Sequence, residues 1–417
     1  MKILPARYLR GTVNIPGDKS ISHRAVMLAS IAVGETRIEN FSTAEDCRTT
    51  LKCLEQLGVS ITKCGNDVIV KGVGKNGLRK PEQPLDCGNS GTTARLLAGI
   101  LAGQPFDSVL TGDESLSRRP MNRIIEPLTE MGAKIESRDG CLPLHIFGGQ
   151  NLRGVEHELP IASAQVKSCL LLAGLFAEGK TSVVERTPTR DHTERMLEWF
   201  GAGDASLTAR DINIPSDVSS AAFFIVASAC LSGSDILLPN VGLNSTRTTI
   251  LNVLQSVGVD VQISMTAEIC NERRGSIRVR GRLEQDLIKK RLILDGDIIS
   301  KIIDEIPILA VLGTQLNFGI EIRDASELRV KETDRISAIA ENLRRMNAVV
   351  EEFPDGFKVE RSDLKGASID SFGDHRIAMA FAVAGLLAEG ETEIQSAECV
   401  NISFPGFFET LSSVVDY

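Results

Sequence analysis

Several segments of this 417-residue chain place cations or carboxylates beside small polar residues, at what the pattern marks as helix starts. Lys19 and Arg24 lie in Gly17-Asp18-Lys19-Ser20-Ile21-Ser22-His23-Arg24, and Arg95 closes Cys87-Gly88-Asn89-Ser90-Gly91-Thr92-Thr93-Ala94-Arg95. Lys167 follows Ser163-Ala164-Gln165-Val166, Asp304 precedes an apolar run, and Asp374-His375-Arg376 precedes another. A helix N-terminus presents unpaired N–H groups and a positive dipole end, so it attracts phosphates and carboxylates. Ser, Thr, Asn and Asp at such positions are also ordinary N-caps. Caps do not explain Lys19, Arg24, Arg95, Lys167 and Arg376, because a cation there opposes the dipole. Their placement points to an anion as the missing partner. Two further basic segments are Gly112–Pro120, with Arg118 and Arg119, and Leu328–Arg335, which reads Leu-Arg-Val-Lys-Glu-Thr-Asp-Arg. The ordinary explanation of such runs is a solvated face, but here they accompany the helix-start clusters. The chemistry these types suit is the joint holding of two anions by Arg and Lys, with a carboxylate placed to move a proton.

The elements that must position these residues repeat along the chain. An amphipathic helix closes at Leu57-Gly58-Val59, Met131-Gly132-Ala133, Phe200-Gly201-Ala202, Val257-Gly258-Val259 and Met346-Asn347-Ala348, and Phe407–Val414 resembles a sixth copy. Gly or Asn just past a helix tolerates the left-handed conformation needed there. Between them stand six helices apolar on nearly every face, starting near Ser22, Gly91, Ala164, Ser219, Asp304 and His375, which predicts burial. Two alternating runs around a turn predict a hairpin over Val59–Val70, Ala133–Phe147, Val259–Val279 and Ala348–Val359. Gly201–Asp211 leaves little room for one, so the third unit has lost most of its hairpin. The expected fold class is α/β: two pseudo-threefold domains, each of three repeated units, with buried helices inside and sheets outside.

Composition narrows the function. A net charge of −9 without a basic block argues against nucleic acid, and 4% aromatics leave little for base stacking. No apolar run reaches the roughly 18–20 residues of a membrane span, and Met1-Lys2-Ile3-Leu4-Pro5 has no signal-peptide character, so the expected location is cytoplasmic with no membrane partner. Nine scattered cysteines and five histidines show no metal-ligand spacing, so neither a metal nor another cofactor is expected. Gly72-Val73-Gly74-Lys75-Asn76-Gly77 matches G-x-G-x-x-G, but Pro81 and Pro84 follow too closely for the helix a dinucleotide site needs. Gly17-Asp18-Lys19-Ser20 lacks the earlier glycine of a P-loop.

GDKSISHRA, GNSGTTARL, SRRPM, SAQVKS, RDHTERML, LRVKETDRI, DHRIAMA and SFPGF occur in this order from Gly17 to Phe407. Together they resemble the 5-enolpyruvylshikimate-3-phosphate synthase family, and SAQVKS with RDHTERML resembles its second sequence class. The resemblance implies an inside-out domain over 17–214 and a second formed by 1–16 and 215–417, with the active site in the interdomain cleft. It implies reaction of shikimate-3-phosphate with phosphoenolpyruvate to give the enolpyruvyl ether and phosphate without a metal, by a monomer that glyphosate inhibits at the phosphoenolpyruvate site.

By the same resemblance, Lys19, Asp304 and Glu332 are catalytic: Lys19 bridges the substrates, Asp304 takes the proton of the 5-hydroxyl and Glu332 helps protonate the methylene carbon. Ser20, Arg24, Ser163, Ala164, Gln165, Arg190 and Lys331 hold shikimate-3-phosphate, with Lys19 and Asp304. Asn89, Gly91, Arg119, Gln165, Arg335 and Arg376 line the phosphoenolpyruvate site with Lys19. Three positions depart from the family pattern. Ser216 stands for the usual Gly, Ile402 for Lys or Thr, and Gly91 for the Ala of tolerant second-class members, which suggests sensitivity to glyphosate. Two other readings are an anion-binding paralogue with impaired catalysis and a UDP-N-acetylglucosamine enolpyruvyl transferase. Against the second, Ser20 replaces an expected Asn and no Cys lies in Asp113–Arg119; against the first, Lys19, Asp304, Glu332 and Arg376 are all present.

Overall fold

A computed structural model describes residues 1–202, 206–283 and 290–417. They form two compact units. The inserted unit is Gly17–Ile214 with Glu268–Glu272, and the flanking unit is Met1–Pro16, Pro215–Ala267 and Arg273–Tyr417.

Each unit is built around three buried helices. In the inserted unit these are α1 (Lys19–Ile31), α2 (Gly91–Ala102) and α3 (Ala164–Gly174). In the flanking unit they are α4 (Val218–Cys230), α5 (Ile306–Gln315) and α6 (His375–Leu387). Their apolar residues on every face find partners on every face, which is the condition for a buried helix. α2 and α3 approach so closely that a Cβ on Gly99 would lie 2.2 Å from the Cys169 carbonyl oxygen, so only glycine fits there. Amphipathic helices cover the core: Glu45–Gln56, Asn122–Glu130 and His192–Trp199 in the inserted unit, Thr249–Ser256, Arg335–Arg345 and Phe407–Ser412 in the flanking one. Five of the six are followed by a residue at positive φ, namely Gly58, Gly132, Gly201, Gly258 and Asn347, as the helix-closing pattern predicts.

Strands flanking a buried helix pair in parallel. In the inserted unit Leu85–Asp86 pairs with Ser108–Thr111 across α2, and Glu156–Leu159 with Ser182–Glu185 across α3. After α1, Val33–Glu39 takes its parallel partner, Ile212–Asn213, from the far end of the unit. Hairpins at 60–73 and 134–147 extend the first two sheets to four strands. The third sheet has two strands among the described residues. Residues 203–205, part of the shortened segment, lie outside the described residues; the flanking residues Leu207 and Ala209 bond to Val33 of the first sheet instead.

The flanking unit repeats the scheme. Tyr8–Thr12, Leu292–Leu294 and Ser368–Asp370 pair in parallel with Asp235–Gly242, Ile320–Ile322 and Thr392–Gln395. The last sheet gains Lys2–Ile3, antiparallel to Thr392–Glu393, where the other two sheets of this unit carry a hairpin. A two-residue strand has no periodicity, so the sequence did not reveal it. Within SFPGF, Phe404 and Phe407 stack on Phe224 with centroids 6.2 and 5.6 Å away, so that motif is core packing. At the departure Ser216, the hydroxyl donates to the Ile15 carbonyl at 2.9 Å and Asp217 N–H to that of Pro16 at 3.0 Å. The two connecting segments are thereby bonded side by side, which glycine at 216 would do with one bond fewer.

Candidate active site

In the inserted unit the expected residues gather at the starts of α1, α2 and α3. Asp18 caps α1 by accepting from Ile21 N–H. Lys19 then points its Nζ at Asp46 Oδ2, 2.9 Å away on the Glu45–Gln56 helix. Ser20 accepts from Arg24 Nη1 through its carbonyl at 2.8 Å, and its hydroxyl lies 3.5 Å from Arg190 Nη1. Arg24 is buried and donates to Thr193 Oγ1 and Ser168 Oγ, each at 2.7 Å, which ties α1 to α3 and to the His192–Trp199 helix.

Ser90 caps α2 and Ser163 caps α3, placing Gly91 and Ala164 as the first helical residues. Asn89 is held from both sides: its amide donates to Asp113 at 2.8 Å and its Oδ1 accepts from Arg119 Nη2 at 2.8 Å. Gln165 bridges α3 to α2, accepting from Arg95 Nη1 at 2.6 Å and donating to Thr92 Oγ1 at 2.9 Å. A Cβ added to Gly91 would lie 2.9 Å from Arg95 Nη1 and 3.5 Å from Arg119 Nη1. Two guanidiniums thus converge on the bare backbone at the start of α2, an arrangement suited to a phosphate or carboxylate.

In the flanking unit the expected residues centre on Arg335, 1% exposed. Its Nε meets Asp374 Oδ2 at 2.7 Å, its Nη2 meets Glu332 Oε2 at 2.7 Å, and its Nη1 lies 3.7 Å from Asp304 Oδ1. Burial opposes its charge, but Asp374, Glu332 and Asp304 together outweigh burial and hold its pKa above the ordinary arginine range. Arg376 approaches Asp304 from the other side, with Nη1 donating to its carbonyl at 2.8 Å and Nη2 3.5 Å from Oδ2. Asp374 also caps α6, accepting from Arg376 and Ile377 N–H. The charge run 328–335 is no solvated face. Arg329 clamps it to the next hairpin by donating to the carbonyls of Phe353 and Pro354, at 2.6 and 2.7 Å. With Arg329 on one side and Arg335 on the other, the loop holding Lys331 and Glu332 is fixed at both ends. Burial pulls Lys331 below the ordinary lysine pKa, against the opposing pull of Asp304 and Glu327.

Two readings need correction. Asp304 does not open α5: the helix starts at Ile306 with Glu305 as N-cap, and Asp304 sits in the preceding turn. Pro307 suits the first helical turn and sets the start there. Nor do all five helix-start cations await an external anion. Lys167, 4% exposed, is sandwiched by Glu185 at 2.8 Å and Glu194 at 2.6 Å, because a buried charge needs a partner from its own chain. Sequence reasoning gave no role to Asp46, Asp374, Ser168 or Thr193, and marked Arg95 only as a helix-start cation in want of an anion. For the first four, partners distant in sequence decide the matter. Arg95 one turn into α2 was visible as a cation against local preference.

Comparison with known proteins shows the family. The family model described as EPSP synthase (3-phosphoshikimate 1-carboxyvinyltransferase) matches residues 3–411. The chain belongs to the EPSP synthase family. It is 48% identical to the 3-phosphoshikimate 1-carboxyvinyltransferase of Solibacter usitatus, over 100% of this chain and 99% of that protein. It is 51% identical to that of Pelotomaculum thermopropionicum, over 98% and 97%. A solved EPSP synthase from Acinetobacter baumannii superposes with a TM-score of 0.85 at 41% identity, covering 99% of this chain and 98% of that one. The repeated α/β units are thus those of the EPSP synthase fold. Among the described residues, no helix is long and apolar enough to cross a membrane.

Proposed function

We propose that this protein transfers the enolpyruvyl group of phosphoenolpyruvate to the 5-hydroxyl of shikimate-3-phosphate, releasing phosphate. The observation that carries this reading is the gathering of Asp304 and Glu332 on the single guanidinium of Arg335, with Arg376 and Lys331 beside them, in a chain of this family. Two carboxylates fixed by a buried cation can divide the proton transfers an addition–elimination requires. Asp304 takes the hydroxyl proton as the oxygen attacks C2 of phosphoenolpyruvate, and Glu332 delivers a proton to the methylene carbon. Elimination then takes a proton back from the methyl group so formed and expels phosphate. Lys19, Ser20, Arg24, Ser163, Ala164, Gln165, Arg190 and Lys331 receive shikimate-3-phosphate. Lys19, Asn89, Gly91, Arg119, Gln165 and Arg376 receive phosphoenolpyruvate, and Arg95 joins them on the geometry around Gly91. Arg335, largely enclosed by three carboxylates, holds Asp304 and Glu332 in place and adds its charge to the phosphoenolpyruvate side. Holding two polyanions together supplies the proximity term, on the order of 7–11 kcal/mol in model reactions.

The test is phosphate release from the purified protein with both substrates, either one alone, and both in a metal chelator. Release that needs both and survives chelation is the expected result. Tight binding of shikimate-3-phosphate without release would instead favour a paralogue with impaired catalysis.

Glyphosate is expected to compete with phosphoenolpyruvate. A methyl group at Gly91 would crowd Arg95 and Arg119, and a longer inhibitor than phosphoenolpyruvate has less room to shift. Gly91→Ala should therefore weaken glyphosate by on the order of tenfold or more while raising KM for phosphoenolpyruvate by less. Inhibition curves at fixed phosphoenolpyruvate check this, and an unchanged inhibition constant counts against the placement.

Lys331 gives a pH signature. Its pKa lies below the ordinary 10.5, chiefly through burial. The alkaline limb of kcat/KM, which reports the free enzyme, should begin at lower pH than an ordinary lysine would allow. Bound dianion favours the charged amine, so the limb of kcat should lie at higher pH. The sign for stability is opposite to that of a paired lysine: the buried charge costs stability below the folded pKa, and this cost is relieved as pH rises toward 10.5. Lys331→Arg should remove the alkaline limb, which a pH–rate profile would read directly.

A further inference from the structure

A row of four fully buried polar residues runs through the inserted unit, behind the residues assigned to substrates. His23 Nδ1 lies 2.7 Å from Thr50 Oγ1, Thr50 Oγ1 lies 2.7 Å from Thr93 Oγ1, and Thr93 Oγ1 lies 2.7 Å from Ser90 Oγ. All four side chains are shut off from solvent. The row joins three elements. His23 is on α1, which carries Lys19, Ser20 and Arg24. Thr50 is on the Glu45–Gln56 helix, one turn after Asp46, the ion-pair partner of Lys19. Ser90 is the N-cap of α2, flanked by Asn89 and Gly91.

The hydrogen-bond directions follow from one atom. His23 Nε2 is buried with no hydrogen-bond partner. An orphaned buried N–H is rarer and costlier than an under-used acceptor, so the proton belongs on Nδ1. Burial, with the nearby charges of Lys19 and Arg24, keeps the ring neutral by holding its pKa well below the usual histidine range. Nδ1–H then donates to Thr50; Thr93 donates to Ser90, and Thr50 to Thr93 at 2.7 Å in preference to the Asp46 carbonyl at 3.4 Å. Ser90 Oγ also accepts the Thr93 backbone N–H at 3.1 Å. Its rotamer is fixed from two directions, and with it the backbone that presents Asn89 and Gly91. Apolar residues of similar size would fill this space with no less stability, so a fully polar row contributes geometry above all.

We infer that His23 is a positioning residue for the phosphoenolpyruvate side of the site, acting through Thr50 and Thr93 on the Ser90 cap of α2. This rests on the assignment of Asn89 and Gly91 to phosphoenolpyruvate above. The experiment compares His23→Leu, His23→Asn and Thr93→Val with the parent protein. KM for each substrate, kcat and melting temperature are measured, together with nitrogen spectra of ¹⁵N-histidine-labelled parent protein, the His23 signal being assigned by its loss in His23→Asn.

The expected result is an Nδ1–H tautomer and a roughly tenfold rise in KM for phosphoenolpyruvate in His23→Leu and Thr93→Val, about the worth of one hydrogen bond, with kcat moved less. Asn offers an N–H near the Nδ1 position, so His23→Asn should return KM to within about twofold of the parent. An Nε2–H tautomer overturns the direction of the row and the inference with it. Unchanged KM in both apolar variants overturns it too, as does a fall in melting temperature and in kcat that His23→Asn does not relieve. If His23→Leu does not fold, Thr93→Val decides. A parent protein that releases no phosphate sinks the functional assignment on separate grounds, and the tautomer then decides the row by itself.

Discussion

Asp304→Ala should bind both substrates and turn them over about 10²–10⁴-fold more slowly than the parent protein, the contribution expected of one positioned general base. Asp304 sits in the turn before α5, held there by two arginines: Arg376 takes its carbonyl at 2.8 Å and approaches its carboxylate at 3.5 Å, and Arg335 lies 3.7 Å from the other oxygen. The turn itself rests on the Arg376 contact to the Asp304 carbonyl and on the Glu305 backbone, whose N–H donates to the Ile302 carbonyl, so removing the carboxylate should leave the backbone in place. The two cations stay and still attract anions, which is why binding is expected to survive. Calorimetric titration with shikimate-3-phosphate, beside steady-state phosphate release, separates the two effects. Retention of full turnover would remove Asp304 from the base role. Loss of binding in proportion to turnover would make it a structural partner of Arg376.

Arg335→Met should cost about 3–5 kcal/mol of stability, because breaking a buried ion cluster strands the remaining charges. The guanidinium is 1% exposed and is shared among Asp374, Glu332 and Asp304. Methionine has nearly the right length but supplies no hydrogen-bond donor, so the carboxylates would face one another and an apolar chain. Asp374 loses most, since it is fully buried and caps α6 as well. Chemical denaturation of both proteins measures the loss, and the midpoint should fall while the slope stays the same. Protonation relieves stranded carboxylates, so the difference between variant and parent should be smaller at pH 5 than at pH 8. A variant as stable as the parent at pH 8 would mean that the cluster offsets only its own desolvation. Turnover should be lost in either case, because Glu332 loses the contact that holds it.

How far these sites could be read in advance differs from residue to residue. Lys19, Asn89 and Arg376 stand at helix starts whose caps are local, and local caps can be read from a few neighbouring residues. The positive-φ residues Gly58, Gly132, Gly201, Gly258 and Asn347 punctuate the repeat for the same reason. Lys167 shows where such reading stops. Its position at a helix start looked like that of Lys19, yet Glu185 and Glu194 enclose it and make it part of the core.

The sequence by itself determined the α/β class, the six buried helices and their amphipathic companions, and the family. These depend on periodicity, capping and ordered motifs, all of which act over a few residues at a time. Only the tertiary structure decided which cations are spoken for. It paired Lys19 with Asp46, gave Arg24 to Ser168 and Thr193, and set three carboxylates around Arg335. It also completed the last sheet with Lys2–Ile3, more than 360 residues away in the chain. Charges and strand edges are neutralised by whatever the fold brings within about 3 Å, and chain separation carries no record of that distance.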